Sequence, residues 1–314
     1  MALDNGKIRA LLAGWAVISL LVAPAQGAEL KPETVAAFNR YIGATEARMD
    51  EDLRASHFLV MDRLPDARRE EAYARLREGQ IYIERLRALE DGRQIHIPSG
   101  MIHHWVGVVF IPGATFSQVL AVIQDYDNHQ NIYKPDVRRS KLLERSGNEG
   151  KIYLQFYNKS IVTAVFNANF IVYSIQFGSA RALKRSYSTR IAEVENIGKP
   201  DERELPVGKD HGYMWRLYNY WRVEEKDGGV YLEVEAVTLS RTVPPLLAWL
   251  VNPLIRNIPK KVLTNLLNAT RRAVKNQNRP TSAFVTSARN GSLMAVHITP
   301  VLEEFHPRTA LGRR

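Results

Sequence analysis

The stretch Gly212–Arg241 reads GYMWRLYNYWRVEEKDGGVYLEVEAVTLSR, and its reading decides the fold. Two runs of alternating residues flank Lys226-Asp227-Gly228-Gly229. Asp-Gly is a hairpin signal, because a type I′ turn holds both central residues at positive φ. With Asp227 and Gly228 at the tip, Trp221 falls opposite Val234, Val223 opposite Leu232, Asn219 opposite Ala236 and Leu217 opposite Thr238. On the other face Arg222 meets Glu233 and Tyr220 meets Glu235. One face is mostly apolar. The other carries an opposite-charge pair and, as in a half-buried ribbon, is expected to point outward, Glu235 included. Beyond the ribbon the period becomes helical: Ile258, Val262, Leu263, Leu266, Leu267 and Val274 share a stripe within 258–276.

Upstream, Ile102–Ile111 reads as a strand ended by Pro112-Gly113. Thr115 can cap a helix whose stripe is Phe116, Val119, Leu120 and Ile123. After a polar segment, Asp125–Pro135, four strands are expected at 137–145, 151–158, 161–176 and 182–195. In the second of them Ile152, Leu154 and Phe156 alternate with Tyr153, Gln155 and Tyr157. Residues 196–211, rich in Gly, Pro and charge, make a loop. The fold class is therefore α+β: a curved antiparallel sheet of about seven strands gripping a long C-terminal helix, with an N-terminal helical extension.

That extension, residues 29–98, holds helices at 30–55 and 65–78 and a hairpin around Asp91-Gly92. Its apolar stripes are thin, and it is read as packed on the main domain, residues 99–278. Residues 1–28 have the make-up of a signal peptide: Lys7 and Arg9, an apolar run from Ala10 to Val22, then small residues to Ala28. The run is shorter than the roughly 20 apolar residues a span needs. The chain is thus expected to be exported, periplasmic or secreted. Residues 279–314 lose periodicity and read as a mobile tail. Among 314 residues there is no cysteine, which excludes disulfides and lipid attachment through a thiol. Loss of Lys7, Arg9 and Asp4 with the leader takes the formal charge from +10 to +9. Such a charge suits anionic headgroups or simply solubility.

The order of elements over about residues 102–276 resembles the START-like, or SRPBCC, helix-grip superfamily of polyketide cyclases, pollen-allergen-like proteins and lipid-transfer domains. Trp105-Val106-Gly107-Val108-Val109-Phe110-Ile111-Pro112-Gly113-Ala114-Thr115-Phe116, Val119-Leu120 to Tyr126, and Tyr133-Lys134-Pro135-Asp136-Val137-Arg138-Arg139-Ser140 carry the resemblance. Tyr220-Trp221-Arg222-Val223-Glu224-Glu225 and Gly228-Gly229-Val230-Tyr231 add to it. It implies a hydrophobic cavity between sheet and terminal helix. It supplies no catalytic motif, and residues 29–98 fall outside it.

By periodicity, Leu154, Phe156, Asn167, Trp215, Leu217, Asn219, Trp221, Val262 and Leu266 are the expected lining of that cavity, with Trp249 beside them. Asn219 lies between Leu217 and Trp221, and Asn167 shares a face with Asn169, Val165 and Ile171. Either neighbours satisfy these amides or they orient a polar ligand head. His103 and His104 point to opposite faces, so at most one reaches the cavity. Asp125, Asp127 and His129 could suit a divalent ion but lack a fourth ligand, and turn roles fit them. Pro244–Arg256 is apolar nearly all round, is broken by Pro253 and is followed by Lys260 and Lys261. It suits a lid, or a membrane-surface contact through Leu246, Trp249 and Leu250. There is no G-x-S-x-G, Walker A loop, H-E-x-x-H or cysteine nucleophile, and no cofactor or metal is expected. Arg216, Tyr218, Tyr220 and Arg222 interleave basic and aromatic residues, but export argues against nucleic acid.

These readings converge on a non-enzymatic binding or transfer protein for a lipid or other hydrophobic molecule. Two alternatives stand beside it. One is a cyclase-like or hydrolytic enzyme using His103, His104 or Glu235. The other is an envelope protein whose core is filled by its own side chains.

Overall fold

A computed structural model describes residues 28–159, 163–243 and 245–277, without the side chains of 245–257. The expected tail, and all of the expected leader but Ala28, lie outside the described residues.

The hairpin forms in the expected register. Strand β7 (Arg216–Lys226) pairs with β8 (Gly229–Arg241), with Trp221 opposite Val234 and Arg222 opposite Glu233. At the tip Asp227 and Gly228 have φ of 56° and 71°, as a type I′ turn requires. The other strands are β1 (Ile81–Arg85), β2 (Gly100–Pro112), β3 (Val137–Ser146), β4 (Glu149–Lys159), β5 (Thr163–Phe177) and β6 (Arg181–Glu195). Their order across the antiparallel sheet is β1-β2-β8-β7-β6-β5-β4-β3, and Arg203–Glu204 adds a short strand beside β6. The hairpin expected around Asp91-Gly92 pairs only Leu89–Glu90 with Arg93–Gln94. Ile81–Arg85 joins the main sheet instead, because β2 offers it a free edge.

Helices cover both faces of the sheet, four of them longer than the rest among the described residues. Helix α1 (Pro32–Arg54) starts with Pro at its first position, where a missing N–H costs nothing. Helix α2 (Asp66–Arg77) follows, then α3 (Phe116–Gln124), whose Thr115 hydroxyl accepts the Gln118 N–H while the Gln118 side chain takes the Thr115 N–H. Helix α4 is continuous from Pro245 to Gln277, so it begins well before the expected 258. The reason is physical: a segment apolar all round has no helical period to read.

Alternation assigns the two faces. Val109, Ile111, Trp221, Val223, Leu232 and Val234 face inward, toward α3 and α4. Helix α4 approaches the sheet closely at Gly107, where a Cβ would stand 2.8 Å from Leu267 and 2.9 Å from Leu263. The outer face is not solvated. Phe38, Tyr41 and Ile42 of α1 pack on Tyr220, Val237 and Leu239. Residues Phe58–Met61 and α2 pack on Val106, Val108, Phe110 and Tyr231. Residues 29–98 therefore form a second layer packed on the outer face of the sheet.

Candidate functional site

The outer face of the hairpin is where burial contradicts composition. Arg222, Glu233 and Glu235 are 1%, 0% and 0% exposed. Such charges persist inside only when paired. Arg222 Nη1 donates to Glu233 Oε1 at 2.6 Å, and the Val60 N–H donates to Glu233 Oε2 at 2.6 Å. Glu235 accepts from Arg48 of α1 and bonds His104 Nε2 at 2.6 Å. The Tyr41 hydroxyl lies 2.8 Å from His104 Nδ1 and accepts the Ala88 N–H at 2.9 Å. Burial alone would raise Glu235, but the His104 bond and charge, with Arg48 and Arg222, outweigh it and hold the carboxyl at about 2. Burial prevails at Glu233 and pushes its carboxyl up. His104 and Glu235 thus meet, but both ring nitrogens are occupied and the pair is sealed under α1. They are a clasp for the N-terminal layer and are withdrawn as acid–base groups of the inner face.

The inner face has a closed end and an open end. At the closed end α3 and α4 cover Trp221, Val223, Leu232 and Val109. Lys184 lies there, 6% exposed, with Nζ donating to Ile123 O at 3.2 Å and 4.5 Å from the Trp221 ring. Burial without an acid brings its amine down to about 7. The space beside it is about 10 Å³, room for about one water.

Toward the other end the sheet positions are half-buried. Trp105, Leu217, Asn219, Ala236 and Thr238 lie side by side across β2, β8 and β7, with Ser186 opposite Asn219 on β6. Leu154 and Phe156 extend this floor onto β4, and Leu266 of α4 packs over them. The side chains of Trp105, Ser186, Asn219 and Thr238 make no hydrogen bond among the described residues. His103, also inward, lies 3.2 Å from Ser240 Oγ, and burial lowers its ring to about 4.

At the rim of the open end, Glu193 is an inward residue of β6 opposite Phe166. It accepts the His211 backbone N–H at 3.1 Å and bonds His211 Nδ1 at 2.8 Å. The His211 ring stacks on Tyr213 at 5.5 Å and 16°. Burial pushes the Glu193 carboxyl up, and the His211 ring partly offsets it.

Of the expected lining, the structure brings Leu154, Phe156, Leu217, Asn219 and Leu266 to one floor, with Trp221 at its closed end. Val262 is half-buried on α4. Asn167 is corrected: it lies on the outer face, accepting from Tyr153 at 2.8 Å and Gln155 at 3.0 Å and donating to Glu204 at 2.8 Å. The inward positions of β5 are Ala164, Phe166, Ala168, Phe170 and Val172. Trp215 is also corrected: it precedes β7, where alternation has not begun, and packs with Phe38 and Tyr41 while Nε1 donates to Asp210 at 3.1 Å. The side chains of Leu246, Trp249 and Leu250 lie outside the described residues. Asp125, Asp127 and His129 do not converge. Asp127 accepts the Leu142 N–H and pairs with Lys141, and His129 is buried between Tyr126 and Tyr133, where burial and Lys184 lower its ring to about 3. Lys184 escaped the sequence reading although its inward period beside Ala182 and Ser186 was legible. Glu193 and His211 escaped because no spacing links a strand residue to a loop residue.

No family model matches the chain, and no curated protein matches it. Among solved structures, it is similar to a STAR-related lipid transfer protein fragment from Xanthomonas axonopodis at 17% identity, covering 62% of this chain and 98% of that one, with a TM-score of 0.40. Human STARD10 is similar at 11% identity, 68% and 83% coverage and a TM-score of 0.41. The Zhui aromatase/cyclase from a Streptomyces species is similar at 12% identity, 59% and 100% coverage and a TM-score of 0.37. The fold is defined by the chain's own strand order and long terminal helix, an α+β helix-grip arrangement.

Proposed function

We propose that the chain is an exported binding or transfer protein for a lipid or other hydrophobic molecule, held against the open floor beneath α4. One observation carries this reading. Among the described residues the half-buried Asn219 amide and its neighbours Trp105, Ser186 and Thr238 lack side-chain partners on a floor otherwise built of Leu154, Phe156 and Leu217, with Leu266 of α4 above it. Unpaired polar groups beside apolar surface suit a ligand with an apolar body and a polar head. Burial of the body, at about 25 cal/mol per Å², would supply most of the affinity. The amide and hydroxyls would orient the head.

Export rests on the composition of residues 1–28, and N-terminal sequencing of the protein recovered outside the cytoplasm tests it. A membrane contact through Leu246, Trp249 and Leu250 belongs to the same proposal, since an apolar segment beside basic residues suits an interface. Among the described residues no helix is long and apolar enough to cross a membrane.

The deciding experiment is native mass spectrometry of the purified protein with solvent extraction of whatever it carries. A stoichiometric amphiphile supports the reading. An empty protein that also takes up no fluorescent lipid favours the filled-core alternative, for which the tight packing around Lys184 is the observation in hand.

A further inference from the structure

His211 has the construction of a general base. Its backbone N–H bond to Glu193 anchors the residue and its Nδ1 bond to the same carboxylate orients the ring; the acceptor at Nδ1 places the proton there, leaving the Nε2 lone pair outward. Nε2 has no partner among the described residues, and the residue is half-exposed while Glu193 is 5% exposed. The loop beneath is held as well. Asp210 Oδ1 accepts the Gly212 N–H at 2.6 Å and the Trp215 indole N–H at 3.1 Å. An oriented imidazole backed by a buried carboxylate, with its second nitrogen free, is the arrangement acid–base chemistry needs.

Its surroundings name a substrate. Tyr213, on which His211 stacks, packs with Met214 and Leu217 against the inward cluster of Phe166 and Ile191, so an apolar wall runs from His211 to the floor at Asn219. Arg241 Cζ stands 5.8 Å from the Tyr213 ring, and no carboxylate pairs with it among the described residues. Its stem fits because residue 212 is glycine: a Cβ there would stand 2.8–2.9 Å from Arg241 Cβ, Cγ and Cδ. The guanidinium thus lies against the Tyr213 ring at the end of that wall.

We propose that His211, positioned by Glu193, is a general base that hydrolyses the acyl ester of an apolar ligand at the rim of the inner face. The proposal rests on the reading of that face as a hydrophobic ligand's seat. Nε2 takes a proton from water as the water oxygen bonds to the acyl carbon, and the carbonyl electron pair moves to its oxygen. The carbonyl re-forms, the bond to the alcohol oxygen breaks, and His211 returns the proton to the leaving alkoxide. The products are a carboxylic acid and an alcohol, and no co-reactant beyond water is consumed.

The test uses the full chain with p-nitrophenyl octanoate as substrate and octyl p-nitrophenyl ether as a non-hydrolysable probe of binding. The expected result is turnover above buffer. His211→Gln lowers kcat by about 100-fold or more while ether binding is unchanged. His211→Ala regains part of the rate with free imidazole, a recovery that a merely structural histidine would not show. Glu193→Gln, which can still accept from Nδ1–H, loses less than His211→Gln. Ether bound without turnover, or an unchanged rate in His211→Gln, overturns the proposal and leaves the binding reading intact. Failure to bind the ether overturns both.

Discussion

Two histidine–glutamate pairs stand on opposite faces of one sheet. His104–Glu235 lies under α1, with the second ring nitrogen taken by Tyr41 and the carboxylate shared with Arg48. His211–Glu193 lies at the inner rim, with the second ring nitrogen unpartnered among the described residues. The side-chain chemistry is the same. What differs is access and the fate of one lone pair, and these separate a packing clasp from a reactive group. The faces differ in the same inverted way. The polar face of the hairpin is sealed by the N-terminal layer, whereas the apolar face retains half-buried positions with unpaired polar groups.

The comparison breaks most sharply at Glu235. Its replacement by Ala leaves the buried His104 without a carboxylate and Arg48 with Asp52 alone. Denaturant unfolding should show a loss of about 3–5 kcal/mol, with ligand retention unchanged in the protein that remains folded. The acid dependence follows from the same group. The folded Glu235 carboxyl is held at about 2, below its ordinary 4.5, so its stabilisation is present above 4.5 and is lost as pH falls from there toward 2. Glu235→Gln should flatten stability across that window.

Lys184 gives the next largest effect, with the opposite sign. The folded chain releases its proton near 7, whereas the ordinary value is 10.5, so this residue makes stability rise with pH between those values and costs most below 7. Lys184→Met should stabilise the protein by about 1–3 kcal/mol at neutral pH and flatten that slope in pH-dependent unfolding. An unchanged slope would mean that the amine meets an anion in solution.

Tyr41→Phe removes one hydroxyl that serves both Ala88 and His104. The expected cost is about 1–3 kcal/mol in denaturant unfolding, without effect on hydrolysis or uptake. The smallest effect on stability is expected at Asn219, because its amide has no partner among the described residues to lose. Asn219→Leu should stay within about 0.5 kcal/mol of the parent. Lipid uptake should nonetheless weaken about tenfold, and equal uptake would remove Asn219 from the site.

Much of the inner floor was legible because a strand has period two. Leu154, Phe156, Leu217, Asn219 and Trp221 follow from alternation once the Asp227-Gly228 turn sets the register. The same rule misplaces Trp215, which sits before β7 begins, and it groups Asn167 with its neighbours without saying which side of the sheet they face. Helix α4 was under-read for the same reason: a period cannot be seen in a segment without a polar face.

Turn chemistry and periodicity are local properties, and they dictate the hairpin, its register, the succession of strands along the chain and the long terminal helix. Only the tertiary structure decided that Arg222, Glu233 and Glu235 are interior. Their burial depends on α1 arriving from far along the chain, and no local pattern distinguishes a polar face that meets water from one that meets Arg48 and Tyr41. Only the tertiary structure joined His211 to Glu193, because that bond links a loop to a strand and is fixed by how the sheet curls rather than by spacing.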